Sequence, residues 1–276
     1  WVLQRLAEHG LIQGNRIGGA QIRNTRTGTV QSVEADWFVA ALPIEVFAPL
    51  ISPELEAIDR QFTNLKELVG DIRWMSGVQF YLSDVVNLNH GHTLHVDTPW
   101  ALTSISQFQF WDSPPNSWGD GQVRTLLSVV ISDWGTPGLN GKTALECSDR
   151  NEVLDEIWRQ LKKSLNVDGQ EVLKDTAVLR RYLDDTVKLA SEPPVGEATN
   201  KDPLFINRPN SWFKRPQVVT KVPNLVLAAD YVQSRADLAC MECACESGRR
   251  AVNALLSKTG STRAFCETYS LDMPCK

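Results

Sequence analysis

One stretch near the C-terminal end constrains this chain more than any other: Val222-Pro223-Asn224-Leu225-Val226-Leu227-Ala228-Ala229-Asp230-Tyr231, followed by Leu238-Ala239-Cys240-Met241-Glu242-Cys243-Ala244-Cys245-Glu246-Ser247-Gly248-Arg249-Arg250-Ala251. It reads as a buried apolar strand running into a loop that bears an acid, then into a helix whose first turn carries small residues. The strand end presents the Asp230 carboxylate. The unpaired backbone N–H groups and positive dipole end of the helix face the same crevice, which suits an anionic or electron-rich ligand.

The rest of the composition narrows the field. With 276 residues, 42% hydrophobic and 22% charged, the chain can bury a full core as one large domain or two interleaved ones. Thirty-three acids against 28 bases give a formal charge of −5, with no block of Lys and Arg, which argues against a nucleic-acid partner. No apolar run reaches the roughly 18 to 20 residues needed to cross a bilayer. No basic region followed by an apolar core and cleavage site stands at the N-terminus, so the expected location is the cytoplasm. Six cysteines (Cys147, Cys240, Cys243, Cys245, Cys266 and Cys275) are too few and too clustered for a disulfide scaffold, and they predict reduced thiols.

Along the chain, Val2, Leu3, Leu6 and Ala7 predict the last turns of a helix that stops at His9-Gly10. Ile17 to Arg23 and Thr29 to Val33 read as strands around an Asn24 to Gly28 turn, and Ala35 to Leu42 as a third strand, buried on both faces. Helices are predicted over Ile44 to Leu50 and Pro53 to Leu68, with Ser52 and Pro53 as cap and first-turn residues. Residues 74–82, 91–97, 101–111, 123–132 and 176–182 read as strands of a mostly antiparallel sheet. The clearest helix is Asp149 to Leu165, where Val153, Ile157, Leu161 and Leu165 recur every four residues with Trp158 beside them. After Lys258 the tail is polar and turn-rich.

Several segments resemble the FAD-dependent amine oxidase and phytoene desaturase superfamily, in particular its hydroxysqualene dehydroxylase-like flavoproteins. The helix opening Ala239-Cys240-Met241-Glu242-Cys243-Ala244 is similar to the Ala-Thr-Met-Glu-Gly-Ala of that superfamily, and it follows a strand ending in Asp230. The other matching stretches are 35–43, 99–107, 128–134 and 207–216, in the order of the C-terminal half of such an enzyme. The resemblance implies an α/β (α+β) fold, a partial FAD-binding domain (1–50 and 215–258) interleaved with a substrate domain (51–214) on a mostly antiparallel sheet with flanking helices, and a tail (259–276).

It also implies a site. Ala41, Leu42 and Pro43 would form the turn after a strand of the flavin domain, and Ala229 and Asp230 would lie near the ribityl and pyrophosphate. Leu238, Ala239, Cys240, Met241 and Glu242 would line the isoalloxazine. Reduced flavin gains negative charge at its N1/C2=O edge, and a helix N-terminus stabilises that charge by roughly 0.3 to 2 kcal/mol. The cofactor implied is FAD. An apolar, isoprenoid-like substrate and shallow membrane contact follow from the same likeness.

Two departures stand beside the match. No Gly-x-Gly-x-x-Gly occurs, so the dinucleotide cradle of a complete member is absent from these residues. A second polypeptide carrying that Rossmann half is one reading; a lost segment or a lipid- or partner-binding remnant without flavin are others. Cys243 stands where the family motif has Gly and Cys240 where it has Thr, and a β-carbon at 243 would crowd a closely approaching ring. An amine or amino-acid oxidase on a polar substrate is a further alternative.

Other residue types carry less. Asp230 alone could be a turn carboxylate held by backbone donors, Met241 and Leu238 ordinary helix packing, and Glu242 a helix N-terminal acid. Cys240, Cys243 and Cys245 begin a zinc-like spacing without a second half, so small buried thiols are the expectation and no metal is assigned. His90 and His92 fall on one face of the expected strand, His95 on the other, and all three are read as surface or loop histidines. Trp100, Phe108, Phe110, Trp111, Trp118 and Trp134 either line an apolar tunnel or fill a sheet core.

Overall fold

The computed structural model describes residues 2–5, 12–113, 115–117, 119–236 and 238–268. They divide into two compact units, one drawn from Trp1–Ile72 and Phe205–Lys276 and the other from Arg73–Leu204. Sheets are mostly antiparallel, and helices pack within each unit.

The first unit is organised by two parallel strands, Phe38–Ala40 and Leu225–Leu227, in the register Phe38 to Leu225, Val39 to Val226 and Ala40 to Leu227. Their pairing is closed by the Phe38 amide on the Asn224 carbonyl (2.8 Å) and the Ala228 amide on the Ala40 carbonyl (2.9 Å). Asn224 is buried and clamps a distant segment: its Oδ1 accepts from the Ile17 amide at 3.0 Å, and its Nδ2 donates to the Ile17 carbonyl at 2.8 Å. Leu225, Val226 and Leu227 are all buried, in a core with Phe47, Leu55, Phe62, Leu65 and Leu68 from the helices that follow the first strand. Each such side chain stabilises the fold by roughly 1.5–3 kcal/mol. The helix Pro53–Ile58 opens on Ser52, whose Oγ accepts from the Leu55 amide, and Gln61–Leu68 is a separate helix after a break at Asp59.

The remaining part of this unit is a three-stranded antiparallel sheet with Ala20–Arg23 between Val2–Arg5 and Val30–Val33. The turn before Val30 is built by Asn24, whose Oδ1 accepts from the Arg26 and Thr27 amides, and by Gly28 at φ +72°. The predicted helix over 1–10 is corrected here. Val2–Arg5 is a strand, since a short apolar run fits either period and pairing with Ala20–Arg23 satisfies its backbone; residues 6–11 lie outside the described ones. The strand predicted from Ala35 to Leu42 shrinks to Phe38–Ala40, and it is not buried on both faces, because Val39 is 47% exposed.

The second unit carries a five-stranded antiparallel sheet in the order Val178–Leu183, Ser76–Leu82, Thr125–Ile131, Thr103–Ser106, Thr93–Leu94. Ser76, Val78, Phe80 and Leu82 alternate into the core, as a pleated strand requires. Strands predicted over 91–97 and 101–111 are shorter, Thr103–Ser106 giving way to a 3-10 turn at Gln107–Phe110. The helix Arg150–Leu165 forms as read, capped by Asp149, whose Oδ1 accepts from the Glu152 amide at 2.9 Å. Its apolar stripe packs into the core that holds Phe80, whose ring lies 4.9 Å from that of Trp158.

Candidate functional site

The parallel pairing decides where the chain leaves the sheet of the first unit. Ala41, Leu42 and Pro43 follow the carboxyl end of Phe38–Ala40, and Ala228, Ala229 and Asp230 follow the carboxyl end of Leu225–Leu227. The two segments therefore emerge side by side, tied at their roots by the bond from the Ala228 amide to Ala40. In parallel sheets ligands bind outside these carboxyl ends. Ala41 and Leu42 also line a 330 Å³ pocket with Ala20, Phe38, Val39, Ala40 and Leu225.

Asp230 is half-buried, and burial pushes its carboxyl above the ordinary range; the amides of Tyr231 and of Asp230 itself and the charge of Arg215 offset part of that rise. Its loop is held from inside. The buried Arg215 donates from Nη2 to the carbonyls of Asp230 (2.6 Å) and Val232 (2.8 Å), and from Nε to that of Tyr231 (3.1 Å). The guanidinium also lies over the Phe205 and Trp212 rings, 5.9 and 5.5 Å from their centroids.

From Tyr231 the chain runs to the helix Met241–Lys258, which packs against Leu225–Leu227. Ser234 and Arg235 fasten this connection: Ser234 Oγ donates to Cys243 Sγ at 2.8 Å, and the Arg235 amide donates to Glu246 Oε2 at 3.1 Å. Cys240 is the N-cap, and its side chain makes no cap bond. Leu238 and Met241 are 57% and 83% exposed, which removes the reading of ordinary helix packing for both. Ala239 is half-buried. Glu242 is exposed, and its own backbone amide, then Cys240, hold its carboxyl below the usual range. Cys243 is fully buried, with its thiol on the Leu238 carbonyl, so its β-carbon is turned into the protein.

A family model for flavin-containing amine oxidoreductases matches residues 15–256. The chain belongs to this family. No curated protein matches it. Membership makes it a flavin-dependent oxidoreductase by kind, with FAD as the cofactor. The donor set fits that flavin: a partly buried carboxyl for hydroxyl groups, a helix N-terminus without an N-cap side-chain bond for an electron-rich ring edge, small residues at 41, 229 and 239 for close approach, and exposed apolar Leu238 and Met241 for a ring face.

Sequence reasoning missed the positioning shell. Arg215, Tyr231 and Ser234 received no role, although Arg215-Pro216 belongs to a matching stretch; a buried guanidinium serving backbone carbonyls leaves no spacing signal. Elsewhere the histidine reading is corrected at position 95. His95 is buried in the second unit between Ser104 Oγ (2.8 Å from Nε2) and Ser164 Oγ (3.1 Å from Nδ1), while His90 and His92 lie in a turn rather than on a strand. The aromatic set divides: Trp100 and Trp134 are core, whereas Phe110 and Trp111 are 43% and 40% exposed. Trp118 and Cys275 lie outside the described residues. Among the described residues no cluster could hold a metal ion, and no helix is long and apolar enough to cross a membrane.

Proposed function

We propose that this family member supplies the ring-side wall of the flavin site and the substrate unit of a desaturase- or dehydrogenase-type oxidoreductase, of the hydroxysqualene dehydroxylase-like branch. One observation carries the reading: Ala41 to Pro43 and Ala229 to Asp230 leave neighbouring parallel strands at the same end, and the helix that packs on one of those strands opens without an N-cap side-chain bond. In this assignment residues 1–50 and 215–258 belong to the FAD-binding domain and 51–214 to the substrate domain.

When bound, the flavin supplies the two-electron chemistry. The chain's own residues would orient and shield: Asp230 would bond to hydroxyl groups, the amide of Met241 and the helix dipole would favour negative charge on the ring, and Leu238 and Met241 would keep water from one face. The reading further assigns the pyrophosphate cradle to a second polypeptide and the assembly to the cytoplasm. The substrate is apolar and isoprenoid-like. Supporting this are Phe108, beside a 470 Å³ pocket in the second unit, and the exposed Phe110 and Trp111, which also suit shallow membrane contact.

Purification of the tagged chain from its native host, with a visible spectrum and identification of companions by mass spectrometry, tests the proposal. The expected result is a flavin band together with a companion bearing a Gly-x-Gly-x-x-Gly turn, and loss of flavin in the Asp230→Ala variant. A chain that brings down neither flavin nor such a companion overturns it in favour of a non-catalytic binding protein.

A further inference from the structure

Cys240 and Cys243 stand at the opening of the Met241–Lys258 helix with their sulfur atoms 3.5 Å apart. Cys240 is the N-cap and Cys243 the third helical residue, a spacing that sets both side chains on one face. Both are free thiols in van der Waals contact, and a disulfide asks only that the sulfurs close to about 2.05 Å. Cys245 is exposed and, two residues on, does not share that face.

The two thiols are not equivalent. Cys240 is half-buried and so within reach of solvent, whereas Cys243 is fully buried. Cys243 donates its S–H to the Leu238 carbonyl and accepts the Ser234 hydroxyl at 2.8 Å, which hold its sulfur facing that of Cys240. An accessible thiol at a helix N-terminus backed by a buried one is the arrangement of an attacking and a resolving cysteine.

We propose that Cys240 and Cys243 form a reversible dithiol–disulfide centre whose oxidant is a small-molecule disulfide. The Cys240 sulfur, having lost its proton, attacks one sulfur of the oxidant; a mixed disulfide forms, and the other half leaves as a thiolate that takes up a proton. Cys243, deprotonated in turn, attacks the Cys240 sulfur and releases the second half as a thiol. Two protein thiols are oxidised, one external disulfide is reduced to two thiols, and the two cysteine protons end on the two products. The proposal goes beyond the expectation of reduced, small buried thiols, which the free cysteines of the structure agree with. Burial pushes the Cys240 thiol up to about 11, so thiolate is scarce at neutral pH and oxidation accelerates about tenfold per pH unit between roughly 7 and 9.

The test equilibrates the reduced full chain with oxidised glutathione at pH 8, quenches with acid, alkylates and maps the peptides. The expected result is loss of two alkylatable thiols and a peptide spanning 240–243 lighter by two hydrogens, restored by dithiothreitol. In Cys243→Ser, glutathione remains trapped on Cys240; in Cys240→Ser, Cys243 stays free. Full alkylation of both residues in the equilibrated wild type, or a disulfide that joins either one to Cys245 or Cys266 instead, overturns the assignment. Thiol mapping needs no cofactor, so its outcome is separable from that of the flavin experiment.

Discussion

Arg215 holds Asp230 by its backbone: Nη2 donates to the Asp230 carbonyl at 2.6 Å, and the same guanidinium serves the next two carbonyls. The acid-bearing loop is thus a shaped element rather than a free connection. Each carbonyl that loses a donor while buried costs about 1–3 kcal/mol. Arg215→Ala is therefore expected to lower unfolding stability by at least about 3 kcal/mol, with the stacking on Phe205 and Trp212 lost as well. Arg215→Lys keeps the charge but not the planar fork and should fall between the two. Urea denaturation of the three proteins checks this; equal midpoints for Arg215→Ala and wild type would remove the loop-holding role.

Asp230 gives a pH signature. Its folded-state pKa is raised, chiefly by burial, so the folded protein binds its proton more tightly than the unfolded chain. Stability then decreases as pH climbs from the ordinary carboxylate range through the raised folded value, and the penalty is fully present above it. Asp230→Asn, which keeps the shape without the charge, is expected to melt higher than wild type at pH 7 and equal to it near pH 3. Thermal melts across that range decide the matter, and a variant less stable than wild type at neutral pH would contradict the burial argument.

Tyr231 follows Asp230 and is fully buried, yet its hydroxyl has no hydrogen-bond partner among the described residues. Burial also pushes its ionisation well above the usual tyrosine value. Removing an unpartnered buried hydroxyl relieves a desolvation cost of about 1–3 kcal/mol. Tyr231→Phe should consequently raise the melting temperature without disturbing the fold. A lower melting temperature would mean that the hydroxyl has a bonding partner in solution.

What the sequence revealed, and what it concealed, follows from the kind of physics involved. The strand Leu225–Leu227 and the helices Arg150–Leu165 and Met241–Lys258 are written in hydrophobic period, and the first of these helices also in its Asp149 cap, signals that are local. Phe38–Ala40 came out too long because an apolar run does not reveal which residues face solvent; Val39 does. Glu156 and Gln160 illustrate the same limit on the helix stripe. Periodicity places polar side chains on the solvent side, yet both are buried, with Glu156 accepting from the Leu139 amide and Gln160 Oε1 from the Trp100 amide at 3.1 Å. Bonds that span long stretches of sequence, such as Asn224 to Ile17, leave no local trace. At the candidate site the motif residues were legible and their supports, Arg215 and Ser234, were not.

The buried His95 provides a second pH signature, in the other unit. Ser164 Oγ donates to Asp97 Oδ1 at 2.9 Å, so its oxygen is left to accept from His95 Nδ1–H. Nε2 then accepts from the Ser104 hydroxyl, which fixes the neutral Nδ1–H tautomer. Burial lowers the folded pKa below the ordinary 6.5, against an opposing pull from the charge of Asp97. Protons therefore bind the unfolded chain more readily, and the stability present above about pH 6.5 is lost as pH falls towards the depressed folded value. Protonation also sets a donor against the Ser104 hydrogen and forces that hydroxyl to turn. His95→Asn, which cannot titrate there, should lose less melting temperature than wild type between about pH 7 and pH 5, from a lower starting point. Parallel slopes for the two proteins would place the titrating group elsewhere.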